Sequence, residues 1–435
     1  MSAFSRRKFL QSSAAATAAS ALTKAAAAGV HGKMNMLLIA VDDQNARLGC
    51  YGNRLAKTPN LDALAARGTT FKKAYCQYPL CGPSRASLMT GLAPDTTRIY
   101  GNENRVRDTI PDVTTIDQLF RKNGYYSARV GKIYHADNPA DIGQDGLDDP
   151  ATWDYVFNPQ RVDHPKEEPE VTNFTPLQTR QDKNGYARLG STISFHESHS
   201  PDRTMTDSLG ADETIRLLRE KRNQPFFIAY GLYRPHVPWI VPKAYFDMFP
   251  LKNIKAKPLG EEELHQAPAP AYTTHPPNFG MTELQCRQAM RAYYASSAFM
   301  DAQVGRVLSE LKSLGLEKNT VVVFWADHGW SLGEHGQWEK QTVFESAAHV
   351  PLIFAGPGTT SGKVCTRTVE HLDIFPTLTA LCGLKAVPPV LQGQSLTPLL
   401  KDSNSPWSKP AISQVTRLLA QGLRMKFRAN VCGWK

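Results

Sequence analysis

The sequence lacks any membrane-length apolar run: none of its 435 residues begins the ~20 consecutive apolar positions that a span requires. It lacks close Cys-x-x-Cys pairs, although it has seven cysteines: Cys50, Cys76, Cys81, Cys286, Cys365, Cys382 and Cys432. That argues against thiolate zinc sites and thioredoxin-like chemistry. It also lacks zinc-finger spacing and long basic runs, so nothing points to nucleic acid. Acids are in deficit, 40 Asp and Glu against 50 Lys and Arg. With 41% hydrophobic and 21% charged residues, the composition is ordinary for a globular chain and excludes a disordered, collagen-like or disulfide-scaffold protein. One large α/β domain with a small appendage fits the length.

The first 28 residues contain no acid and hold Arg6, Arg7, Lys8 and Lys24, so the remainder carries a mild +6. The arginine pair precedes an alanine-rich stretch that ends Ala26-Ala27-Ala28 before Gly29. This order reads as a twin-arginine export signal over residues 1–28, with a periplasmic or secreted mature chain starting near Gly29. An odd cysteine count after export leaves at least one cysteine unpaired or modified.

Four segments share one design, a continuous apolar run followed at once by polar residues. Met36–Val41 leads to Asp42-Asp43, and Val321–Ala326 to Asp327-His328. Phe226–Tyr230 leads to Arg234-Pro235-His236, and Tyr125–Val130 to Gly131-Lys132 and His135. Such runs suit strands of a sheet covered on both faces. Helical spacing lies between them around Leu61–Ala65, over Thr115–Arg121, and over Thr282–Leu314, where Thr282 and Gln285 predict a capping box and Gly315 an end. The alternation predicts a mainly parallel α/β sheet with its ligand site beyond the strands' carboxyl ends. Residues 136–206 and 250–280 read as long loops able to shape a cleft.

Cys81-Gly82-Pro83-Ser84-Arg85-Ala86-Ser87-Leu88-Met89-Thr90-Gly91 places a cysteine just before an expected helix start, where free N–H groups favour negative charge. Asp42, Asp43 and Asp327 offer hard oxygen ligands suited to calcium.

The Cys-x-Pro-Ser-Arg block resembles the signature of type I, formylglycine-dependent sulfatases of the alkaline phosphatase superfamily. The resemblance extends to Asp42-Asp43, Gly49–Gly52, Thr58–Asp62, Gly131-Lys132 with His135, Arg234–Pro238 and Asp327–Gly336. It covers about residues 34–400 and is most similar to the iduronate-2-sulfatase-like branch. It implies an alkaline-phosphatase-like sandwich, with a large mainly parallel sheet flanked by helices over residues 33–400.

The resemblance also implies that a formylglycine-generating enzyme oxidises Cys81 to formylglycine (3-oxoalanine). One Ca2+ would be held by Asp42, Asp43, residue 81, Asp327 and His328, the last being a soft partner for calcium. The hydrated aldehyde would attack sulfur with one hydroxyl and release sulfate through the second. Arg85 and Lys132 would neutralise oxygens, and His135 would act as base. His236 and Lys340 would hold sulfate and protonate the leaving oxygen, with the acid left open between them. The implied partners are a sulfated sugar, expected to be part of a uronic-acid-containing polysaccharide or oligosaccharide, and the twin-arginine export machinery.

Residues 401–435 depart from the family pattern and read as a truncated or replaced C-terminal subdomain. Two alternatives stand beside the sulfatase reading: a phosphonate or phosphodiester hydrolase of the same superfamily, and a sulfated-glycan-binding protein with a dead site.

Overall fold

The computed structural model describes residues 32–176, 180–181, 187–418 and 424–431. The expected export signal, residues 1–28, and Cys432 lie outside the described residues. Strands β1 (Asn35–Val41), β2 (Gly68–Tyr75), β3 (Tyr126–Gly131), β4 (Tyr155–Phe157), β5 (Phe226–Leu232), β6 (Thr320–Ala326), β7 (His349–Val350), β8 (Leu352–Ala355) and β9 (Lys363–Glu370) form one nine-stranded sheet. Its order is β7-β2-β8-β6-β1-β5-β3-β4, with β9 also on β2. The run from β6 through β1, β5 and β3 to β4 is parallel. Antiparallel pairing enters where β8 joins β6 to β2.

All seven residues of β1, β5 and β6 are buried, as expected for strands covered on both faces. Sequence reading missed the short, fully buried β8 (Leu352–Ala355), and it missed β2 and β9, which have a different character. β2 carries Thr-Thr and Lys-Lys among its eight residues, and β9 exposes Lys363 and Val364 at the sheet edge. Polar edge and near-edge strands do not show the apolar run that marks central ones.

Helices α1 (Pro59–Ala66), α2 (Cys81–Thr90), α3 (Ile116–Lys122), α4 (Thr206–Lys221), α5 (Glu283–Ser313) and α6 (Ile374–Cys382) are the longer of the helices that surround the sheet. The capping box at the start of α5 forms: Gln285 N–H donates to Thr282 Oγ1 at 3.3 Å, and Thr282 N–H to Gln285 Oε1 at 2.8 Å. Gly315, at φ 68°, follows its last turn. A second apolar cluster, with Trp239, Trp330, Trp338, Tyr293 and Phe246, packs against the first half of α5.

The two expected loops contain structure of their own. Thr172–Asn173 and Ser194–Ser198 join Trp239–Pro242 in a three-stranded sheet, and several single 3₁₀ turns punctuate both segments. Strands β10 (Ala411–Leu418) and β11 (Arg424–Val431) form an antiparallel hairpin. Gln414 N–H donates to Gln77 O at 2.9 Å and Ser413 Oγ to Cys76 O, so β10 runs beside the segment that enters α2.

Candidate active site

Register brings the critical strand ends level. Val41 pairs with both Ala326 and Leu232, and Gly131 with Gly231, so β6, β1, β5 and β3 finish side by side. Asp327-His328, Asp42-Asp43, Arg234–His236 and Lys132–His135 follow those four ends, in that spatial order. Side chains nearly 300 residues apart therefore meet without any unusual loop. The β3–β5 approach depends on glycine: a Cβ on Gly131, whose φ is 72°, would sit 2.0 Å from Gly231 O. Asp43 is itself left-handed, at φ 61°, and its carbonyl accepts a 2.8 Å hydrogen bond from Tyr293 Oη.

Cys81 enters from α2. It was expected just ahead of the helix, but Leu80 takes the extended capping conformation and Cys81 becomes the first helical residue. The side chain is 1% exposed. Its Sγ lies 3.2 Å from His328 Nε2, 3.3 Å from Lys340 Nζ and 3.4 Å from Asp42 Oδ1, and His135 is near enough for the two groups to shift each other's titration. Gly91, at φ 68°, closes the helix as expected.

The charged groups interlock. Lys132 Nζ lies 2.5 Å from Asp42 Oδ2, a charge contact rather than an aligned hydrogen bond. Arg85 is fully buried. Its Nε donates to Asp327 Oδ2 at 2.9 Å, its Nη1 to the carbonyls of Lys132 and Ile133, and its Nη2 lies 3.7 Å from Asp42 Oδ1. Lys340 Nζ donates to Asp43 Oδ1 at 2.7 Å. His236 Nδ1 donates to Val237 O at 2.6 Å, which leaves Nε2 facing Asp43 Oδ2 at 3.6 Å.

Electrostatics favour an anion at position 81. Burial pushes the Cys81 thiol up, but Lys340, Lys132 and His328, with nearby His135, hold it well below the ordinary range. Burial and the negative charge at Cys81 also raise Asp42, yet Lys132, His236 and Arg85 outweigh them and keep it low. Burial lowers Lys340, and Asp43, Cys81 and Asp42 reverse that and push it up.

Ligand atoms of Asp42, Asp43, Cys81 and His328 all lie within 4.8 Å of one another, and all four residues are buried. Oδ2 of Asp43 is buried without a hydrogen-bond donor, and Oδ2 of Asp42 meets only the Lys132 ammonium. Carboxylate oxygens so placed fit a hard divalent cation. Asp327 stands just outside the four-residue group. Its Oδ1 accepts from the backbone N–H of Asp43 and His328, while Oδ2 takes Arg85.

Every residue expected in the site from sequence thus converges on Cys81 or on its immediate neighbours. Trp330 is 1% exposed and packs edge-on to Trp239 rather than lining an open cleft, and the half-buried His335 stacks on Phe344. His199, His265 and His275 are exposed, and His196 lies 3.4 Å from Glu170. Sequence reading missed the supports. Asp207 accepts the backbone N–H of Tyr233 and Arg234, and Asp163 accepts Arg234 Nη2 at 3.0 Å. Ser84 Oγ donates to Asp327 O and lies 3.4 Å from His371 Nδ1. Arg234, within its Arg-Pro-His block, and Ser84, within the Cys-x-Pro-Ser-Arg block, carried a local signal, whereas Asp163, Asp207 and His371 carried none.

Among solved structures, the phosphonate monoester hydrolase of Agrobacterium radiobacter is similar at TM-score 0.72 and 25% identity, covering 90% of this chain and 82% of that one. A protein solved with its substrate D-glucosamine-2-N,6-O-disulfate matches at TM-score 0.65 and 21% identity, covering 92% and 87%, a likeness of fold alone. The fold is of the alkaline-phosphatase-like class. The sulfatase family model matches residues 34–384, and the chain belongs to the sulfatase family. Similar relatives include a sulfatase of Formosa agariphila, 38% identical over 81% of this chain and 70% of its own length. The human iduronate 2-sulfatase is 33% identical over 82% of this chain and 70% of its own.

Proposed function

We propose that this sulfuric ester hydrolase is exported and removes sulfate from a sugar of a uronic-acid-containing polysaccharide or oligosaccharide, using Cys81 converted to formylglycine and one bound calcium ion. The observation that carries this reading is the buried Cys81 side chain at a helix start, ringed by Lys132, Lys340 and His328 and biased toward negative charge. Likeness to iduronate 2-sulfatase supports the uronic-acid class.

Asp42, Asp43, residue 81, Asp327 and His328 are the groups that would hold the ion. Calcium there supplies positive charge that acidifies an adjacent hydroxyl and offsets the sulfate oxygens. Formylglycine supplies, as its hydrate, a nucleophilic hydroxyl and a second one for sulfate release. Three carboxylates, Asp42, Asp43 and Asp327, face three permanent cations, Arg85, Lys132 and Lys340. A divalent ion turns that balance positive, which suits an anionic ester.

The protein groups then divide the work. Arg85 fixes Asp327 and the Lys132 backbone, while the Lys132 ammonium offsets charge on residue 81 and sulfate. His135, whose Nε2 lies 3.1 Å from Asp137 Oδ1, is placed to take a proton from residue 81. Lys340 is pushed up by its anionic neighbours and keeps its proton, so it holds sulfate oxygens. His236, with Nε2 facing the site, is the proton donor to the leaving alcohol.

A second reading, phosphonate or phosphodiester hydrolysis, is favoured by the likeness to the Agrobacterium hydrolase. The test is turnover of sulfate and phosphate esters of one alcohol by the mature chain, with intact-mass analysis of the peptide around residues 75–90. The proposal expects the mass of formylglycine and preference for sulfate. Preference for phosphate supports the second reading, and an unmodified, inactive Cys81 in protein from its native host indicates a glycan-binding protein with a dead site. Conversion by a formylglycine-generating enzyme is expected before twin-arginine export, because that enzyme needs an unfolded cysteine segment and the export route carries folded chains.

A further inference from the structure

Lys340 reaches Cys81 from an unusual piece of backbone. Its neighbours Glu339 and Gln341 are both left-handed, at φ 67° and 65°, and neither is glycine. Such conformations persist only where surrounding contacts over-determine them. Gln341 supplies those contacts on both sides of its backbone. Its N–H donates to Pro79 O at 2.9 Å, two residues ahead of Cys81, and its carbonyl accepts Arg417 Nη2.

Arg417 comes from β10 of the C-terminal hairpin. Its Nε donates to Pro270 O at 3.0 Å and its Nη1 to Thr416 O at 3.1 Å. Arg417 is half-buried, and its hydrogen bonds among the described residues run to backbone carbonyls. All three acceptors are backbone carbonyls, so the fork joins the 270 segment, the 341 segment and the hairpin. The same strand is tied to the chain entering α2: Thr416 N–H donates to Tyr78 Oη at 2.9 Å, and Gln414 N–H to Gln77 O.

We propose that Arg417 is a positioning residue for Lys340: by fastening the Gln341 carbonyl, it fixes the loop that holds the Lys340 ammonium against residue 81 and Asp43. The hairpin thereby sets the separation of two site groups that it does not itself contribute. The inference rests on the sulfatase reading for what Lys340 does, and on the hydrogen bonds alone for how Lys340 is held. A planar guanidinium spans carbonyls of separate segments in a way that one ammonium does not.

The test is a double-mutant cycle of Arg417→Gln and Lys340→Ala in the full chain. Three quantities are read: kcat/KM on a small aryl sulfate that lacks a carboxylate, the affinity for inorganic sulfate by calorimetry, and Tm. Arg417→Gln is expected to lower kcat/KM by about 10²-fold and to weaken sulfate binding, as a misplaced site group does. In the Lys340→Ala background the same change is expected to add little to either loss, while its effect on Tm stays the same. Arg417→Lys is expected to recover less than half of the lost activity, and it carries the comparison if Arg417→Gln does not fold. Additive losses in the double variant, or full rescue by lysine, overturn the proposal and make Arg417 a general charge near the substrate. Unchanged kcat/KM and sulfate affinity with a lowered Tm also overturn it. If the wild-type chain turns over no sulfate ester, the functional reading fails, and the sulfate-binding cycle still reports whether Arg417 acts through Lys340.

Discussion

The acidic half of the site and its outer cationic half are held by different means. Asp42, Asp43, Asp327 and His328 directly follow β1 and β6, whose seven-residue parallel register fixes them. Lys340 and His236 sit on loops, and their placement is delegated to side chains such as Arg417, Asp207 and Asp163. Sheet register is shared by many backbone hydrogen bonds, so one substitution there alters chemistry more than position. A loop held by one or two charged anchors is open to displacement by a single change.

The strongest break in that comparison is at residue 81, which both halves surround. Cys81→Ser removes the oxidisable thiol and is expected to lower kcat on the order of 10⁴-fold or more, with Tm little changed. Steady-state turnover of an aryl sulfate and a melting curve check both parts. On the sheet-borne side, Asp43→Asn is expected to cost roughly 10²–10³-fold in activity, the size seen when one charge-stabilising group is lost. Calcium titration of chelator-treated protein is expected to show weakened uptake in the same variant and restored activity in the wild type.

On the loop-borne side, Asp163→Ala leaves the Arg234 guanidinium, 2% exposed, without its carboxylate. Breaking a buried pair in this way costs about 3–5 kcal/mol, measurable by denaturant unfolding. The smallest effect tests the packing behind the acids. Burial, with the charge of His328, lowers His371 to about 3, so it stays neutral in the fold. Its stabilising contribution is complete above the unfolded value near 6.5 and is lost as pH falls from there toward 3. Between pH 7 and pH 5 that amounts to about 2 kcal/mol, and His371→Gln is expected to flatten the unfolding free energy by that much.

Legibility followed the same division. β1, β5 and β6 were visible because both faces are covered and their residues are almost all apolar, β3 was visible although Ser127 and Arg129 interrupt it, and the polar groups after each run were visible because strand ends point at the site. α5 announced its own start through Thr282 and Gln285. β2 and β9 were not visible, since Lys72, Lys73, Lys363 and Val364 mix polar and exposed positions into strands near the sheet edge. Asp163, Asp207 and Arg417 carried no pattern that separates an anchor from a surface charge.

The amino-acid order alone determined the parallel core, the chemistry-bearing side chains that follow its strands, and the motif at Cys81, because periodicity and local residue chemistry act over a few neighbours. Only the tertiary structure decided that Pro270, Gln341 and Arg417 form one clamp, that Asp327 stands outside the tight ligand group, and that Trp330 packs instead of lining a cleft. Those outcomes depend on contacts between segments tens to hundreds of residues apart, and short-range patterning carries no record of which distant carbonyl or carboxylate a side chain will meet.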